Sequence, residues 1–132
     1  MDNKQHVQTI MDALVRADRK PLFDAMADEV TWRWMGTSQW SKSFEGKQAV
    51  LGELFGGVDE SLSDSYSVQV HKILADGDHV VVEHTGSNAT PDGRQYNNNY
   101  CWIFAFKDGL ITEIREYMDT QLVTETFEHD PS

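Results

Sequence analysis

The sequence predicts an α+β fold in which three N-terminal helices pack on a curved, mostly antiparallel sheet. Apolar residues recur at helical spacing over much of the first 55 residues, whereas the remainder consists of runs in which polar and apolar residues alternate. Short segments containing Asp and Gly separate these runs, and connections of that length join antiparallel neighbours. The 132 residues are enough for a buried core, so we expect one domain over 1–132.

Two helices are predicted in the N-terminal part of the chain. The first covers about 3–17, where apolar residues follow the i, i+3, i+4, i+7, i+8 pattern of an amphipathic helix. Pro21 suits the first turn of the second helix, which we expect to end near Asp28. The apolar stripe of the first helix comprises Val7, Ile10, Met11, Leu14 and Val15.

A strand and a third helix follow. Residues 29–35 alternate between two faces, and Trp32 and Trp34 share one of them. The third helix is expected over 47–55, after which two consecutive glycines end it. The loop 37–45 between strand and helix follows no pattern that would determine its structure.

Four further strands are predicted in the second half, at about 65–74, 79–88, 95–106 and 110–118. Because the connections between them are short, these strands form an antiparallel meander. The polar residues beyond 127 are expected to be a loose tail.

Glu116 is the first candidate for a catalytic residue, because it lies where the last strand pattern requires an apolar side chain. It shares the more apolar face with Leu110, Thr112, Ile114 and Met118. Burial disfavours the charged form of a carboxyl group and raises its pKa. Such a group is a general acid or base near neutral pH, whereas the alternative is a glutamate at a sheet edge that points to water.

The turn between the last two strands decides which side chains surround Glu116. A two-residue turn would pair Glu116 with Cys101 and mix charged with aromatic residues. A three-residue turn over 107–109 brings the apolar faces together, and we favour it. It places Tyr100 opposite Glu116, where a phenol could stabilise an oxyanion. The same register pairs Phe106 with Leu110, Trp102 with Ile114 and Asn98 with Met118.

The strand over 79–88 has two alternative orientations. Either Glu83 and Thr85 face inward, or His84 does, and periodicity does not choose between them. With Glu83 inward, a four-residue turn would bring it near Tyr100 or Trp102. Two neighbouring carboxyl groups cannot both ionise easily, so Glu83 would then be a second catalytic candidate and Thr85 a substrate-binding residue.

The composition of the chain argues against several classes of binding partner. Twenty-two acidic and eleven basic residues give a formal charge of −11, which disfavours nucleic acid and anionic membranes. The chain has no long apolar run and no signal-peptide pattern, and its one cysteine cannot form an internal disulfide, so we expect a cytoplasmic protein. His71, His79 and His84 lack a metal-ligand spacing, so neither a metal nor another cofactor is expected.

Several short motifs, in this order and spacing, resemble the nuclear transport factor 2-like superfamily. Within it, the sequence is similar to SnoaL-like polyketide cyclases, ketosteroid isomerases and limonene epoxide hydrolases. The resemblance covers essentially the whole chain and implies a cone-shaped fold with the ligand inside. The motifs are Val80-Val81-Val82-Glu83, Tyr96-x-Asn98-x-Tyr100, and Asp108-Gly109-Leu110-Ile111 followed by Arg115-Glu116-Tyr117-Met118-Asp119.

The resemblance also implies a site. The epoxide hydrolase relay would need an arginine where Val81 stands, and the isomerases have an aspartate in the strand that here carries Trp32 and Trp34. The polyketide cyclases use one acid/base carboxylate late in the chain, and Glu116 is the nearest match, although the family usually has Asp there. The residues implied to point into the cone are Glu83, Asn98, Tyr100, Trp102, Glu116 and Met118, with Trp32 and Trp34 across the cavity.

We therefore expect a cofactor-independent enzyme of the isomerase, cyclase, hydrolase or lyase type, with epoxide hydrolysis disfavoured. Glu116 would transfer protons on a small apolar or aromatic molecule held in the cone. The rival hypothesis is a non-catalytic module of the same fold that binds a hydrophobic ligand or a partner protein.

The outward face of the last two strands predicts a homodimer, a mode of pairing that is common in the resembling families. This face is too apolar to be fully solvated, yet polar enough to tolerate water. Its predicted members are Asn97, Asn99, Cys101, Ile103 and Ala105 on one strand and Ile111, Glu113, Arg115 and Tyr117 on the other.

Overall fold

The computed structural model describes residues 2–62 and 67–127 and confirms the α+β fold, with a six-stranded sheet. The last four strands form the predicted antiparallel meander, and the first strand joins it in parallel orientation. The beginning of the predicted strand 65–74 and the tail beyond 127 lie outside the described residues. The strands are β1 (Met26–Trp34), β2 (Ser43–Glu45), β3 (Ser67–Asp76), β4 (His79–Ala89), β5 (Gln95–Lys107) and β6 (Leu110–Met118), in the order β2-β1-β6-β5-β4-β3.

The first helix, α1 (Asn3–Val15), packs its predicted apolar stripe into the core, except that Val15 is 51% exposed. A capping box begins the helix, because Asp2 and Gln5 exchange hydrogen bonds between side chain and backbone. The helix is two residues shorter than predicted, and Ala17 beyond its end has a left-handed φ of 61°.

The next helices differ more from prediction. The second, α2 (Lys20–Asp24), ends before Asp28 because β1 begins two residues after it. The third helical segment begins as α3 (Lys47–Ala49), widens into a π-helix (Val50–Leu54) and continues as α4 (Phe55–Ser61). The two consecutive glycines therefore lie within α4, and the prediction that they end the helix is wrong.

A C-terminal helix, α5 (Thr120–Phe127), follows β6 directly. The Asp119 carboxylate accepts the backbone N–H of Leu122 at 3.2 Å, which satisfies a donor at the helix start. With α5, the described residues contain four helical segments rather than the expected three. Over residues 2–62 and 67–127, none is long and apolar enough to cross a membrane.

The hairpin between β5 and β6 differs from the predicted register. Its turn has two residues, Asp108 and Gly109, both with positive φ, so the predicted three-residue turn is wrong. A bulge in β6 then adds one residue and restores the match between the two apolar faces. As a result Glu116 lies opposite Trp102, whereas Met118, not Glu116, lies opposite Tyr100.

The same bulge changes which apolar residues of β6 are buried. Ile111 and Ile114, on either side of it, are both fully buried, and Leu110 is 43% exposed. The alternation that placed Leu110 on the inner face and Ile111 on the outer face is therefore wrong before the bulge. After it, the predicted alternation is correct.

The loop between β4 and β5 decides which side chains of β4 face inward. Ala89 pairs with Gln95, which leaves five loop residues between them rather than the four that we expected. The extra residue places His84 opposite Tyr100 on the inner face. Glu83 consequently points outward and is exposed.

Candidate active site

Glu116 lies on the inner face of β6 between tryptophan side chains and is only 6% exposed. Trp32 Nε1 donates a hydrogen bond to Glu116 Oε1 at 2.9 Å, and Trp102 Nε1 donates one to Glu116 Oε2 at 2.8 Å. In the sheet register, Glu116 stands between Trp102 on β5 and Trp34 on β1. Each carboxylate oxygen thus has its own indole donor.

Burial raises the pKa of the Glu116 carboxyl above its ordinary value. Hydrogen bonds from Trp102 and Trp32, and to a lesser extent the neighbouring Trp34, lower the pKa and so offset part of that effect. Indole N–H groups only donate, so they stabilise the carboxylate and not the acid. The carboxyl group can therefore exist as a base within an apolar site.

A cavity of about 970 Å³ lies against Glu116, and its wall is mainly apolar with several aromatic side chains. This volume is at the upper end of those found for small-molecule sites. Neighbouring rings meet edge to face, as between Trp32 and Trp102, whose centroids are 5.1 Å apart. The predicted site residues that line the cavity are Trp32, Trp34, Tyr100, Trp102, Glu116 and Met118, and further aromatic members are Trp40, Phe44, Phe55, Tyr96 and Phe127.

Tyr100 belongs to the cavity wall. Burial raises the pKa of Tyr100 well above its ordinary value, and the electrostatic influence of the neighbouring Tyr96 and Glu116 acts in the same direction. Gly86 makes room for the ring, because a Cβ there would lie 3.1 Å from Tyr100 Cε2. A phenol that resists ionisation can donate a hydrogen bond, so the oxyanion role of Tyr100 stays a prediction.

His84 lies beside Tyr100 on the inner face of β4 and is 2% exposed. Burial lowers its pKa to about 4. The Val82 backbone raises the pKa and so offsets part of this effect, and the nearby His71 lowers it slightly further. The imidazole is thus neutral at neutral pH. Its Nδ1 is buried and has no hydrogen-bond partner in the described part of the chain.

Asn98 faces inward but is committed to the protein's own backbone and to Tyr96. Its amide nitrogen donates to Tyr96 Oη at 2.9 Å and to the Asp119 carbonyl at 3.2 Å. Its carbonyl oxygen accepts the N–H groups of Asn99 at 2.7 Å and Asp119 at 3.0 Å. Asn98 is not among the described residues that line the cavity, so its predicted substrate contact is replaced by a structural role at the junction of β6 and α5.

Glu83 and Thr85 lie on the opposite face of the sheet from Glu116, so their predicted places in the pocket are wrong. Glu83 is exposed beside Cys101. The Thr85 hydroxyl is 2.7 Å from His71 Nε2 and donates to Asn99 Oδ1 at 3.0 Å. The paired carboxylates that an inward Glu83 would have formed do not occur. Nor do His, Cys, Asp and Glu cluster in threes to hold a metal anywhere in the described ranges.

Among the polar groups of the cavity that were not assigned from the sequence, His84 and Trp40 each have a buried nitrogen without a partner in the described ranges. His84 was left as an alternative because the length of the loop before β5 was not determined, and that length was the signal that would have found it. Trp40 lies in the loop 37–45, and its buried Nε1 lacks a partner among the described residues. No periodic pattern precedes Trp40 that could have placed it.

The sequence matches a family model described as a SnoaL-like domain over residues 7–114. The match ends two residues before Glu116, so it does not bear on that carboxyl group. A search of curated proteins found no match.

Solved structures share this fold at low sequence identity. A nuclear transport factor 2-like protein of unknown function from Burkholderia pseudomallei is 18% identical, with a TM-score of 0.82 over 98% of this chain and 100% of its own. TerC, co-crystallised with polyporic acid, is 19% identical, with a TM-score of 0.77 over 95% of this chain and 97% of its own. A candidate SnoaL-like polyketide cyclase from Jannaschia is 18% identical, with a TM-score of 0.77 over 96% of this chain and 92% of its own. These similarities identify the fold as the cone-shaped nuclear transport factor 2-like type.

Proposed function

The chain belongs to the SnoaL-like domain family, and from this premise we propose that it is a small-molecule enzyme in which Glu116 acts as general acid and base. The observation that carries the proposal is a buried carboxyl group with an indole donor on each oxygen, at the wall of an aromatic cavity. Desolvation makes a carboxylate a stronger base, and the two donors hold it in one orientation.

The reaction that suits this arrangement is proton abstraction from a carbon acid, followed by return of the proton at another position. Glu116 would take a proton from the carbon next to a carbonyl, and the electron pair of that C–H bond would move toward the carbonyl oxygen. Tyr100 is our candidate for stabilising the resulting enolate, since its phenol keeps its proton. The protonated Glu116 would then return the proton, so that no external reactant is consumed.

The aromatic wall supports an apolar or aromatic substrate. The cavity is bounded by flat side chains such as Trp34 and Phe44, whose ring centroids are 4.9 Å apart. A flat ring system can contact such walls over much of its surface. TerC, which has the same fold, was co-crystallised with polyporic acid, and this agrees with a small-molecule site within the cone.

A substrate-independent test is the ring opening of 5-nitrobenzisoxazole, a flat carbon acid. A base takes the C3 proton, the C–H electron pair completes the triple bond of the nitrile, and the N–O bond breaks, which gives the coloured product 2-cyano-4-nitrophenolate. We expect the protein to accelerate this reaction beyond the same concentration of acetate, and we expect Glu116→Gln to remove the excess. Equal rates for wild type and Glu116→Gln would contradict the proposal and favour a non-catalytic binding module.

We propose that the protein forms a homodimer through the outer face of the sheet. Leu74, Val81 and Ile103 stand side by side there on β3, β4 and β5. Leu74 is 56% exposed, so a twofold contact would remove an apolar row from water. Ile111, which we had placed on this face, is buried inside and takes no part.

We propose that the protein is located in the cytoplasm. A formal charge of −11 disfavours phosphate-rich partners. Burial raises the pKa of the Cys101 thiol, and a free, weakly ionised cysteine suits a reducing compartment.

A further inference from the structure

His84 is a buried polar side chain of the cavity that the proposed proton transfer does not use. It lines the cavity wall and is 2% exposed, yet its Nδ1 has no hydrogen-bond partner among the described residues. Buried polar groups are nearly always paired, because an unpaired one destabilises the folded state. An unpaired nitrogen on a side chain of the cavity wall points to a group that is completed by a ligand.

Two aromatic side chains hold the imidazole in place. Its ring stacks on Tyr100, with centroids 5.2 Å apart and an angle of 20° between the planes. Its other side meets Trp102 edge to face at 4.4 Å. Trp102 also donates to Glu116, so His84 and Glu116 contact the same indole and belong to one cavity.

A neutral imidazole carries one N–H donor and one bare nitrogen that accepts. A ligand hydroxyl can satisfy either nitrogen, since it both donates and accepts. A carboxylate or an ammonium group would suit only one of the two protonation arrangements. The chemistry of the ring and of its aromatic surroundings therefore matches a hydroxyl group attached to a flat apolar ring.

We propose that His84 is a specificity-determining residue that selects ligands with a hydroxyl group on an aromatic or conjugated ring, which it contacts through an imidazole nitrogen. This assignment rests on the proposed function, because it names the substrate class of the same cavity. A site that hydrogen-bonds a hydroxyl group rejects analogues lacking it more strongly than an apolar pocket distinguishes analogues by size.

The test compares 2-naphthol with 2-methylnaphthalene, in which a methyl group replaces the hydroxyl at nearly the same size. Dissociation constants are measured by displacement of 1-anilinonaphthalene-8-sulfonate. We expect wild type to prefer 2-naphthol by at least about tenfold. His84→Phe and His84→Leu should reduce the preference to less than about threefold, and His84→Gln, which keeps a donor and an acceptor, should restore part of it.

A control variant shows whether the preference depends on His84 itself. His71→Phe removes an imidazole from the outer face of the same sheet and should keep the full preference. A preference that survives in both the Phe and Leu variants of His84, or that is lost equally in His71→Phe, would overturn the proposal. The comparison uses binding alone, so its result does not depend on whether Glu116 catalyses the ring-opening reaction.

Discussion

Glu116 and Glu83 are two glutamates whose side chains lie on opposite faces of the same sheet. Glu116 is buried between two indole donors on the inner face, whereas Glu83 is exposed on the outer face. Burial raises the pKa of Glu116. The difference shows that the face on which a strand residue lies, and not its type, decides whether it becomes a catalytic candidate.

The largest effect that we expect is on proton transfer. Glu116→Gln should lower the rate of 5-nitrobenzisoxazole ring opening at least about a hundredfold, because the amide keeps the shape but is not a base. Glu83→Gln, the matched control on the other face, should change the rate less than about twofold. Similar losses in both variants would mean that the two faces do not differ in function.

The pH dependence of stability distinguishes His84 from Glu116. The folded-state pKa of His84, about 4, is below its unfolded value, so the unfolded chain binds more protons and stability falls as pH decreases between about 6.5 and 4. For Glu116 the folded-state pKa is raised above its ordinary value. Its contribution to stability is therefore present at low pH and is lost as the pH rises through that pKa. The two buried groups therefore act in opposite directions.

Substitution of His84 isolates its share of this dependence. Relative to its own stability at pH 8, His84→Phe should lose about 2 kcal/mol less than wild type on going to pH 5, since it has no imidazole to protonate. Urea unfolding at the two pH values measures this difference. His79→Phe, which replaces an exposed histidine, is the control, and an equal effect in that variant would show that burial of His84 is not the cause.

The next effect concerns the donors around Glu116. Trp102→Phe removes the hydrogen bond to Oε2 and should cost about 1–3 kcal/mol of unfolding free energy at neutral pH. Because that hydrogen bond lowers the pKa of Glu116, its loss should also move the midpoint of the pH–rate profile to higher pH.

Trp40→Phe is the matched control for this substitution. Trp40 lines the same cavity, but its Nε1 has no partner in the described chain, so the substitution breaks no hydrogen bond to Glu116. We expect the pH–rate midpoint to stay in place in this variant. An equal shift in both variants would show that the indole hydrogen bond does not set the pKa of Glu116.

The fold could be predicted from the sequence because strand patterns and short turns are local signals. The alternation in β6 identified the buried position of Glu116 correctly even though the predicted turn was wrong. The shorter turn and the extra residue of the bulge in β6 each shift the register by one residue in the same direction. A total shift of two residues leaves every later side chain of β6 on its predicted face, because side chains alternate with a period of two. Only the exact partner of Glu116 changed, from Tyr100 to Trp102.

The rest of the site depends on features that leave no local pattern. The side chains of a strand alternate with a period of two. A single additional residue in the loop before β5 therefore places His84, and not Glu83, on the inner face. The short strand β2 and Trp40 lie in a loop whose structure depends on tertiary contacts. Likewise, the third helical segment continues through the two glycines that were expected to end it, because burial of Val50 and Leu54 just before them stabilises the helix.

The smallest effect tests whether the outer face is a contact surface between two copies of the chain. Ile103→Glu places a charge in the row formed with Leu74 and Val81, and a buried unpaired charge opposes association. We expect the dissociation constant of the dimer, measured by analytical ultracentrifugation, to rise at least about tenfold. Val15→Glu is the control, because Val15 is 51% exposed at the end of α1 and does not belong to the sheet. Two results would contradict this interface: a wild-type protein that sediments as a 15.0 kDa monomer at micromolar concentration, or a dimer that both substitutions weaken equally. In either case the outer face would not have the role in association that distinguishes it from the inner face.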